Sequence, residues 1–318
     1  MNLPVTRDMI EAAVARIAPR IRRTPLMMSP SPHAAQMPVM LKLEFLQHAG
    51  SFKTRGAFNN LLSGAVPAAG VAAASGGNHG AAVAYAAREL GHRATIFVPE
   101  ISSPAKIAAI RRYGADVRVG GARYVDALAA CEAFIASSGA LSVHAYDTAT
   151  TIAGQGTLAR EWEAQAGAEL PDTVLVAVGG GGLIAGMAAW WGGRVKVVGV
   201  EPQNSRALHA ALEAGRPVDV DVQSVAADSL GARAAGKLVY EIASRAVAGV
   251  VLVADDAIIE AQRALWRDYR IASEPGGAAT FAALASGVYR PKDGERVGVL
   301  LCGANVALDT LAAIDAAP

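Results

Sequence analysis

The amino-acid sequence predicts an α/β protein built on parallel β-sheets. Short runs rich in valine alternate along the chain with alanine-rich stretches of helical length. The runs are nearly continuous in apolar residues, which is typical of strands that helices cover on both faces. Hydrophobic residues make up 53% of the 318 residues and charged residues 18%, so the chain can bury a large core and is not intrinsically disordered.

Each predicted element rests on a local pattern. Ser103 can cap a helix whose first residue is Pro104, and Gly91 and Gly114 lie just past two helix ends. Strands are predicted at 71–74, 94–98, 116–119, 141–144, 174–178, 195–200, 250–253 and 297–301. Helices are predicted between them, among others at 57–62, 81–90, 104–113, 123–136, 255–269 and 276–285. At roughly 150 residues per domain, the length corresponds to about two domains.

Composition and charge exclude several classes of protein. A formal net charge of +1 lacks the basic excess that nucleic acids or anionic membranes attract. Residues 173–193 carry no charge, but their glycines favour a strand, a loop and a short helix over a membrane span. Cys131 and Cys302 cannot form a disulfide framework, and the N-terminus lacks the apolar core of a signal peptide. We therefore expect a cytoplasmic protein that binds neither nucleic acid nor a membrane.

Two glycine-rich loops each follow a predicted strand and precede a helical stretch. The first is Ser-Gly-Gly-Asn-His-Gly at 75–80, and the second is a run of four glycines at 179–182. Such turns direct free backbone N–H groups and the positive end of a helix dipole at one point, where an anion can bind. A phosphate cradle is the better interpretation of the second loop, and a tight turn is the alternative for either.

The second loop by itself leaves the kind of phosphate open. Gly180, Gly182 and Ala185 form a Gly-x-Gly-x-x-Ala pattern, and Glu201 follows at about the distance of a ribose-binding acid, so a nicotinamide cofactor is one interpretation. The same pattern recurs at 154–159, which makes it a weak signal. Neither glycine run is followed by Gly-Lys-Ser/Thr, which excludes the phosphate loop of nucleoside triphosphatases.

A lysine and a cysteine lie at the ends of predicted elements. Lys53 directly precedes a helical stretch, where it is either a solvated surface lysine or a sheltered amine with a lowered pKa that reacts with an aldehyde. Cys302 follows the strand predicted at 297–301. Carboxyl ends of strands are where open α/β sheets bind ligands, so Cys302 is either a site residue or an ordinary buried cysteine.

Together these residues resemble the fold type II family of pyridoxal-phosphate enzymes, and within it the threonine/serine dehydratases and serine racemases. The matching motifs are Thr-Pro-Leu (24–26), Ser-Phe-Lys-Thr-Arg-Gly-Ala (51–57), Ser-Gly-Gly-Asn-His-Gly (75–80), Gly-Gly-Gly-Gly-Leu (179–183), Glu-Pro-Gly-Gly-Ala (274–278) and Cys-Gly-Ala-Asn (302–305). The resemblance implies two open parallel-sheet domains of the tryptophan synthase β-like architecture. It implies a small domain at 44–146 and a large cofactor-binding domain formed by 1–43 and 147–318.

The resemblance also implies roles for single residues. Lys53 would bind the cofactor covalently and then remove the α-proton of the substrate. Asn78 would bind the phenolic oxygen of the cofactor, and Cys302 would face its pyridine nitrogen. The full set of implied cofactor contacts is Lys53, Phe52, Asn78, Gly179, Gly180, Gly181, Gly182, Leu183, Glu274 and Cys302. The implied substrate contacts are Ser75, Gly76, Gly77, Asn78 and His79.

The implied reaction is the dehydration and deamination of L-threonine or L-serine to a 2-oxo acid and ammonia. A thiol at Cys302 is a weak donor and would leave the pyridine ring neutral, which favours loss of a β-hydroxyl over transamination. Racemases have a serine in place of Gly76, so an amino-acid racemase of the same fold is the second hypothesis. An NAD-dependent oxidoreductase is the hypothesis from a different class, and a non-catalytic ligand-binding relative is a third.

The resemblance bears on metals and partners as well. Racemase-like members bind a divalent metal after a Glu-Pro pair, which is present here as Glu201 and Pro202. Ala207 stands where their aspartate ligand would be, so no metal is expected. The expected partners are a small amino-acid substrate and further copies of the chain, in a homodimer or higher homo-oligomer.

Overall fold

Two β-sheets, one of six strands and one of four, organise the chain. The computed structural model describes residues 3–30 and 38–316. The strands are β1 Leu26–Pro30, β2 Pro38–Lys42, β3 Val71–Ala74, β4 Ala94–Val98, β5 Asp116–Val119, β6 Leu141–Ser142, β7 Thr173–Ala177, β8 Lys196–Pro202, β9 Gly249–Val253 and β10 Val297–Leu300. Only β1 and β2 pair antiparallel among the described strands, so the predicted α/β class with parallel sheets is confirmed.

Helices connect the strands. They are α1 Arg7–Ile17, α2 Lys53–Leu62, α3 Asn78–Glu89, α4 Pro104–Arg111, α5 Tyr124–Ser138, α6 Ala149–Ala166, α7 Gly182–Trp191, α8 Ala207–Ala214, α9 Ala227–Leu230, α10 Lys237–Ala246, α11 Asp255–Tyr269, α12 Pro275–Ala285 and α13 Leu308–Ala316. The predicted Ser103 cap is present, with the Ser103 hydroxyl accepting the Lys106 N–H. Within the described part of the chain, no helix is both long enough and apolar enough to cross a membrane.

The six-stranded sheet has the order β1-β2-β10-β7-β8-β9, and the four-stranded sheet has the order β5-β4-β3-β6. The patterns did not predict β1 and β2, which contain methionine and proline and lie at one side of the large sheet. Strand β6 is shorter than the predicted 141–144. Beyond Ser142 the Val143 carbonyl faces the His79 ring instead of continuing the ladder.

The chain order places the functional motifs at one edge of each sheet. Strand β3 ends at the 75–80 loop, and β7 ends at the 179–182 loop. Strand β10 lies next to β7 and ends just before Cys302. Because neighbouring parallel strands end at the same edge, the tetraglycine loop and Cys302 are brought to one side of the large sheet.

All strands of the smaller sheet lie between residues 71 and 142, inside the range expected for the small domain. The domain limits themselves stay a prediction. The segment 147–156, where the large domain is expected to resume, mostly belongs to α6, which packs against α2 and α7. The core of the large sheet includes Trp162 and Trp191, whose rings meet edge to face at 6.3 Å.

Candidate active site

Lys53 is the first residue of α2, and a short backbone pairing fixes the segment before it. Ser51 and Gly303 form an antiparallel bridge, and the Phe52 N–H donates to the Cys302 carbonyl at 3.2 Å. The Ala304 N–H donates in turn to the Gly50 carbonyl at 3.0 Å. Two motifs about 250 positions apart in the sequence are therefore held side by side, and the structure brings Lys53 and Cys302 together.

The Lys53 side chain is partly buried. Its Nζ donates to the Ala145 carbonyl at 2.8 Å and lies 5.1 Å from the centre of the Phe52 ring. Burial lowers the pKa of Lys53 to about 8, and the Glu274 carboxylate opposes that shift. Because the neutral amine is the nucleophilic form, Lys53 is poised to react with an aldehyde close to neutral pH.

This pKa leads to a prediction about cofactor capture. Below about pH 8 the Lys53 amine carries a proton and cannot attack, so we expect the rate of pyridoxal-phosphate attachment to the apoprotein to rise with pH and to be half-maximal near pH 8. Borohydride reduction at timed intervals, followed by peptide mass spectrometry, measures this rate. Glu274→Gln removes the opposing carboxylate and should move the midpoint to lower pH. A wild-type midpoint near that of a free lysine would contradict the prediction.

Cys302 is buried beneath the same segment. The residue is only 3% exposed, and Sγ lies 3.8 Å from the Gly276 carbonyl, to which it donates. Burial raises the pKa of the Cys302 thiol, so the sulfur stays protonated at neutral pH. A neutral thiol is a weak hydrogen-bond donor.

Asn78, Glu274 and Asn305 form one hydrogen-bonded cluster. The Asn78 amide donates to Glu274 Oε1 at 2.6 Å and accepts from the Asn305 amide at 2.7 Å. Burial raises the pKa of Glu274 to about 7, while the hydrogen bond from Asn78 opposes the rise. Sequence reasoning assigned no role to Asn305, although it lies in the quoted 302–305 motif; its contact with Asn78 depends on the tertiary fold.

The tetraglycine loop offers several unused donors. No acceptor in 3–30 or 38–316 receives the backbone N–H groups of residues 179–183. Gly181 has a φ of +90°, which a residue with a side chain adopts only under strain. A Cβ on Gly180 would collide with the Tyr146 ring. The loop thus presents a run of unused N–H donors at the start of α7, as an anion site requires.

The 75–79 loop is held by two contacts. The Ser75 hydroxyl accepts the Gly77 N–H at 3.2 Å, and His79 Nε2 lies 2.8 Å from the Val143 carbonyl. A carbonyl can only accept, so Nε2 carries the proton. Burial lowers the pKa of His79 to about 3, which keeps the ring neutral and makes it an anchor for the loop. A Cβ on Gly76 would collide with the Ser102 hydroxyl, a neighbour that the sequence did not indicate.

The Glu201 carboxylate caps a helix. Its two carboxylate oxygens accept the N–H groups of Leu208 and His209, each at 2.8 Å, so that it caps α8. Because Glu201 is also fully buried, its position supports a capping role rather than contact with a ribose or a cation. Among the described residues, no group of three or more His, Cys, Asp or Glu side chains could hold a metal ion.

A cavity of about 510 Å³ adjoins these groups. Its walls include Gly76, Gly77 and Asn78 on one side and Glu274 on another. An ion pair, Lys106 Nζ to Asp228 Oδ2 at 2.5 Å, joins α4 and α9 across it. The cavity therefore begins at the predicted substrate loop and provides room for a small molecule next to the Asn78–Glu274 cluster.

A buried ion network anchors α2. The Arg55 guanidinium donates to Glu44 from Nε at 2.6 Å and from Nη2 at 3.0 Å, and Nη2 also donates to Glu161 at 2.9 Å. Lys42 Nζ donates to Glu161 at 2.6 Å, and the Thr24 hydroxyl donates to Glu44 at 2.7 Å. This network links β2, α2 and α6 beneath Lys53. Sequence reasoning did not identify it.

Comparison with known proteins gives a family match and close relatives. A family model described as pyridoxal-phosphate dependent enzyme matches residues 17–303. Phenylserine dehydratase of Ralstonia pickettii is 40% identical over 309 residues, which cover 94% of this chain and 92% of that protein. L-threonine ammonia-lyase of Geobacter sulfurreducens is 37% identical and covers 98% of this chain and 78% of that protein.

Solved structures resemble the whole fold. Maize serine racemase superposes with a TM-score of 0.91 at 31% identity and covers 97% of this chain and 96% of its own. The T.th. threonine deaminase superposes with a TM-score of 0.89 at 35% identity and covers 95% and 99% of the two chains. These similarities agree in extent with the motifs found in the sequence, which span about residues 20–306.

Proposed function

The chain belongs to the family of pyridoxal-phosphate-dependent enzymes, and from this premise we propose that it removes water and ammonia from a β-hydroxy α-amino acid of the threonine/serine type. The product is a 2-oxo acid. The family membership confirms the resemblance and the cofactor predicted from the sequence. One observation carries the proposal. Backbone hydrogen bonds hold the segments of Lys53 and Cys302 side by side, Lys53 has a pKa of about 8, and the neighbouring tetraglycine loop has unused N–H donors.

The residues present fit pyridoxal phosphate. The N–H groups of residues 179–183 offer donors to its phosphate, and Lys53 offers an amine to its aldehyde. Phe52, Asn78, Glu274 and Cys302 complete the proposed contacts. When bound, the cofactor supplies an electron sink for the bond that breaks at the substrate Cα.

The chain's own residues would carry out the remaining tasks. Within the loop from Ser75 to His79, the N–H groups of Ser75 and Gly77 already donate inside the protein. The backbone N–H groups of Gly76, Asn78 and His79 would therefore bind the substrate carboxylate, because the loop opens the N-terminus of α3. The Lys53 amine would accept the Cα proton, since its lowered pKa leaves a large neutral fraction near pH 8. The protonated Cys302 thiol would donate only weakly to the cofactor, which favours loss of the β-hydroxyl.

The racemase and oxidoreductase hypotheses are less well supported by the residues of this site. The 31% identical serine racemase structure favours the racemase alternative, but Gly76 has no hydroxyl to return a proton on the second face of Cα. The oxidoreductase alternative relied on Glu201, whose carboxylate caps α8. Elimination is therefore the better-supported reaction of this site.

An assay of L-threonine, L-serine and their D-isomers tests the proposal. We expect a 2-oxo acid and ammonia in equal amounts from the L-isomers. Chiral chromatography of the remaining substrate reports racemisation. Inversion of serine without ammonia would favour the racemase, and a protein that binds pyridoxal phosphate but converts none of these amino acids, nor any bulkier β-hydroxy amino acid, would contradict an enzymatic function.

The tetraglycine loop leads to a second prediction, about cofactor affinity. Gly181→Ala places a Cβ too close to the Val239 side chain and in a left-handed conformation, so the loop must shift and lose donors. We expect the affinity for pyridoxal phosphate to fall at least about tenfold, measured by titration of the apoprotein. Gly192→Ala is the matched control, because Gly192 is also left-handed at the other end of α7 but has open space around it. An equal loss in both variants would contradict a phosphate role for the loop.

Location and assembly complete the proposal. Both cysteines, Cys131 and Cys302, are unpaired and buried, which supports a reducing compartment such as the cytoplasm. Family resemblance supports a homodimer or higher homo-oligomer, which light scattering coupled to size-exclusion chromatography would measure. We also propose the division into a small domain at 44–146 and a large domain; the confinement of one whole sheet to residues 71–142 supports it.

A further inference from the structure

The cavity beside the substrate loop points to a substrate class. We infer, resting on the proposed elimination, that the preferred substrate carries a phenyl-sized aromatic group on its β-carbon, as in a 3-arylserine, rather than the hydrogen or methyl group of serine or threonine. The inference rests on the position, size and lining of the cavity.

The cavity adjoins the loop that is proposed to bind the substrate. It touches Gly76, Gly77 and Asn78 of that loop, and Glu274, which bonds to Asn78. A substrate held by that loop therefore has the cavity as its next open space. Two proposed cofactor contacts, Asn78 and Glu274, line one end of the cavity, whereas Lys53, Cys302 and the tetraglycine loop do not, so most of the volume extends away from the proposed cofactor site.

The volume exceeds what a small side chain fills. About 510 Å³ corresponds to the liquid volume of roughly 17 water molecules, and a threonine methyl group takes roughly the share of one. The width follows from the sequence, because much of the wall carries no side chain beyond Cβ. The alanines that line it are Ala49, Ala81, Ala105, Ala109, Ala304 and Ala307.

The lining also favours an aromatic group. Tyr113 lines the cavity, and its ring is fixed by an edge contact with Tyr85 at 5.4 Å and by the guanidinium of Arg88 at 5.2 Å. A rigid ring beside alanine walls offers edge or stacking contacts to an aryl substituent. Of the basic residues on the wall, Lys106 is paired with Asp228, which leaves Arg112 as the group that would favour an acidic substituent instead.

A substrate panel tests the inference on the holoenzyme. We expect kcat/KM for L-threo-3-phenylserine to exceed that for L-threonine and L-serine by at least about tenfold, because burying a phenyl group contributes that much or more. A preference for L-threonine, L-serine or threo-3-hydroxyaspartate would overturn it. Absence of a 2-oxo acid from every substrate would overturn the proposed elimination instead.

A binding measurement separates the two claims, since it needs no turnover. L-phenylalanine and L-alanine lack the β-hydroxyl, and calorimetry should show L-phenylalanine binding at least about tenfold more tightly. Equal affinities would overturn the aryl pocket even if elimination were observed. A tighter phenylalanine complex would support the pocket even if elimination were not.

Variants that fill the cavity test whether it is the site of the preference for an aromatic side chain. Ala109 is on α4 and lines the cavity, so Ala109→Phe should reduce the preference for phenylalanine over alanine at least about tenfold. Ala108 is its neighbour outside the cavity, and Ala108→Phe should leave the preference unchanged. If Ala109→Phe does not fold by circular dichroism, Ala109→Leu serves with the same expectation. Equal preferences in the filled variant, its control and the wild type would overturn the location.

Discussion

Replacement of Lys53 by alanine is expected to lower kcat for the proposed deamination by about 10³-fold or more, because this one side chain is proposed both to attach the cofactor and to accept the Cα proton. The position of the Lys53 amine suits both proposed roles. Lys53 Nζ is held 2.8 Å from the Ala145 carbonyl, and burial lowers its pKa to about 8. Ammonia release measures the rate. Mass spectrometry after borohydride treatment should find the cofactor on the Lys53 peptide of the wild type and not on the variant.

A lysine at the opposite end of the large sheet provides the control. Lys292 lies before the start of β10, whereas Cys302 lies after its end. Lys292→Ala should keep wild-type activity and the reducible cofactor. If Lys53→Ala retained a cofactor fixed by borohydride at another lysine, the proposed role of Lys53 would be wrong.

Replacement of Arg55 by methionine is expected to lower the free energy of unfolding of the apoprotein by about 3–5 kcal/mol. The side chains of Arg55 and Glu44 are both fully buried, and Glu161 is 13% exposed. Although burial opposes the charged forms, the neighbouring carboxylates raise the pKa of Arg55, and Arg55 and Lys42 lower the pKa of Glu161. Without the guanidinium, Glu44 keeps only the Thr24 hydroxyl as its side-chain donor among the described residues. Urea denaturation measures the loss.

Two further variants test whether the loss of stability comes from the buried ion network. Arg88→Met removes an ion pair with Glu89 whose side chains are 47% and 37% exposed, together with the guanidinium contacts to the Tyr85 and Tyr113 rings, and should cost about 1–2 kcal/mol. The double variant Arg55→Met with Glu44→Gln should recover part of the loss, because it no longer buries the Glu44 charge. Equal losses in Arg55→Met and Arg88→Met would contradict a structural role for the buried network.

The sequence predicted most of the fold because the relevant signals are local. Valine-rich runs fixed where most strands lie, and the glycine loops fixed where two of them end. The exceptions have physical reasons. Strands β1 and β2 contain methionine and proline rather than a β-branched run, and β6 ends early because the Val143 carbonyl bonds to His79. Neither effect can be read from residues adjacent in the chain.

The residues of the candidate site also fall into those that the sequence predicted and those that it did not. Lys53, Asn78, the glycines at 179–182 and Cys302 were found from contiguous motifs. Three further features were not: the Ala145 carbonyl that receives Lys53, the Asn305 amide that donates to Asn78, and the Arg55 network. A backbone carbonyl carries no residue-type signal, and contacts between residues that lie 11 to 227 positions apart do not appear in any contiguous motif.

The sequence by itself thus determined the α/β class and the cofactor family, and it pointed to Lys53 as the amine proposed to react. The tertiary structure alone decided how that amine behaves, because a lowered pKa depends on how much water the packing removes from Nζ. It alone decided that Glu201 caps α8, a role that its sequence pattern did not indicate. It also created the alanine-lined cavity, since alanines from α3, α4 and the 304–307 segment line one space only after the chain has folded.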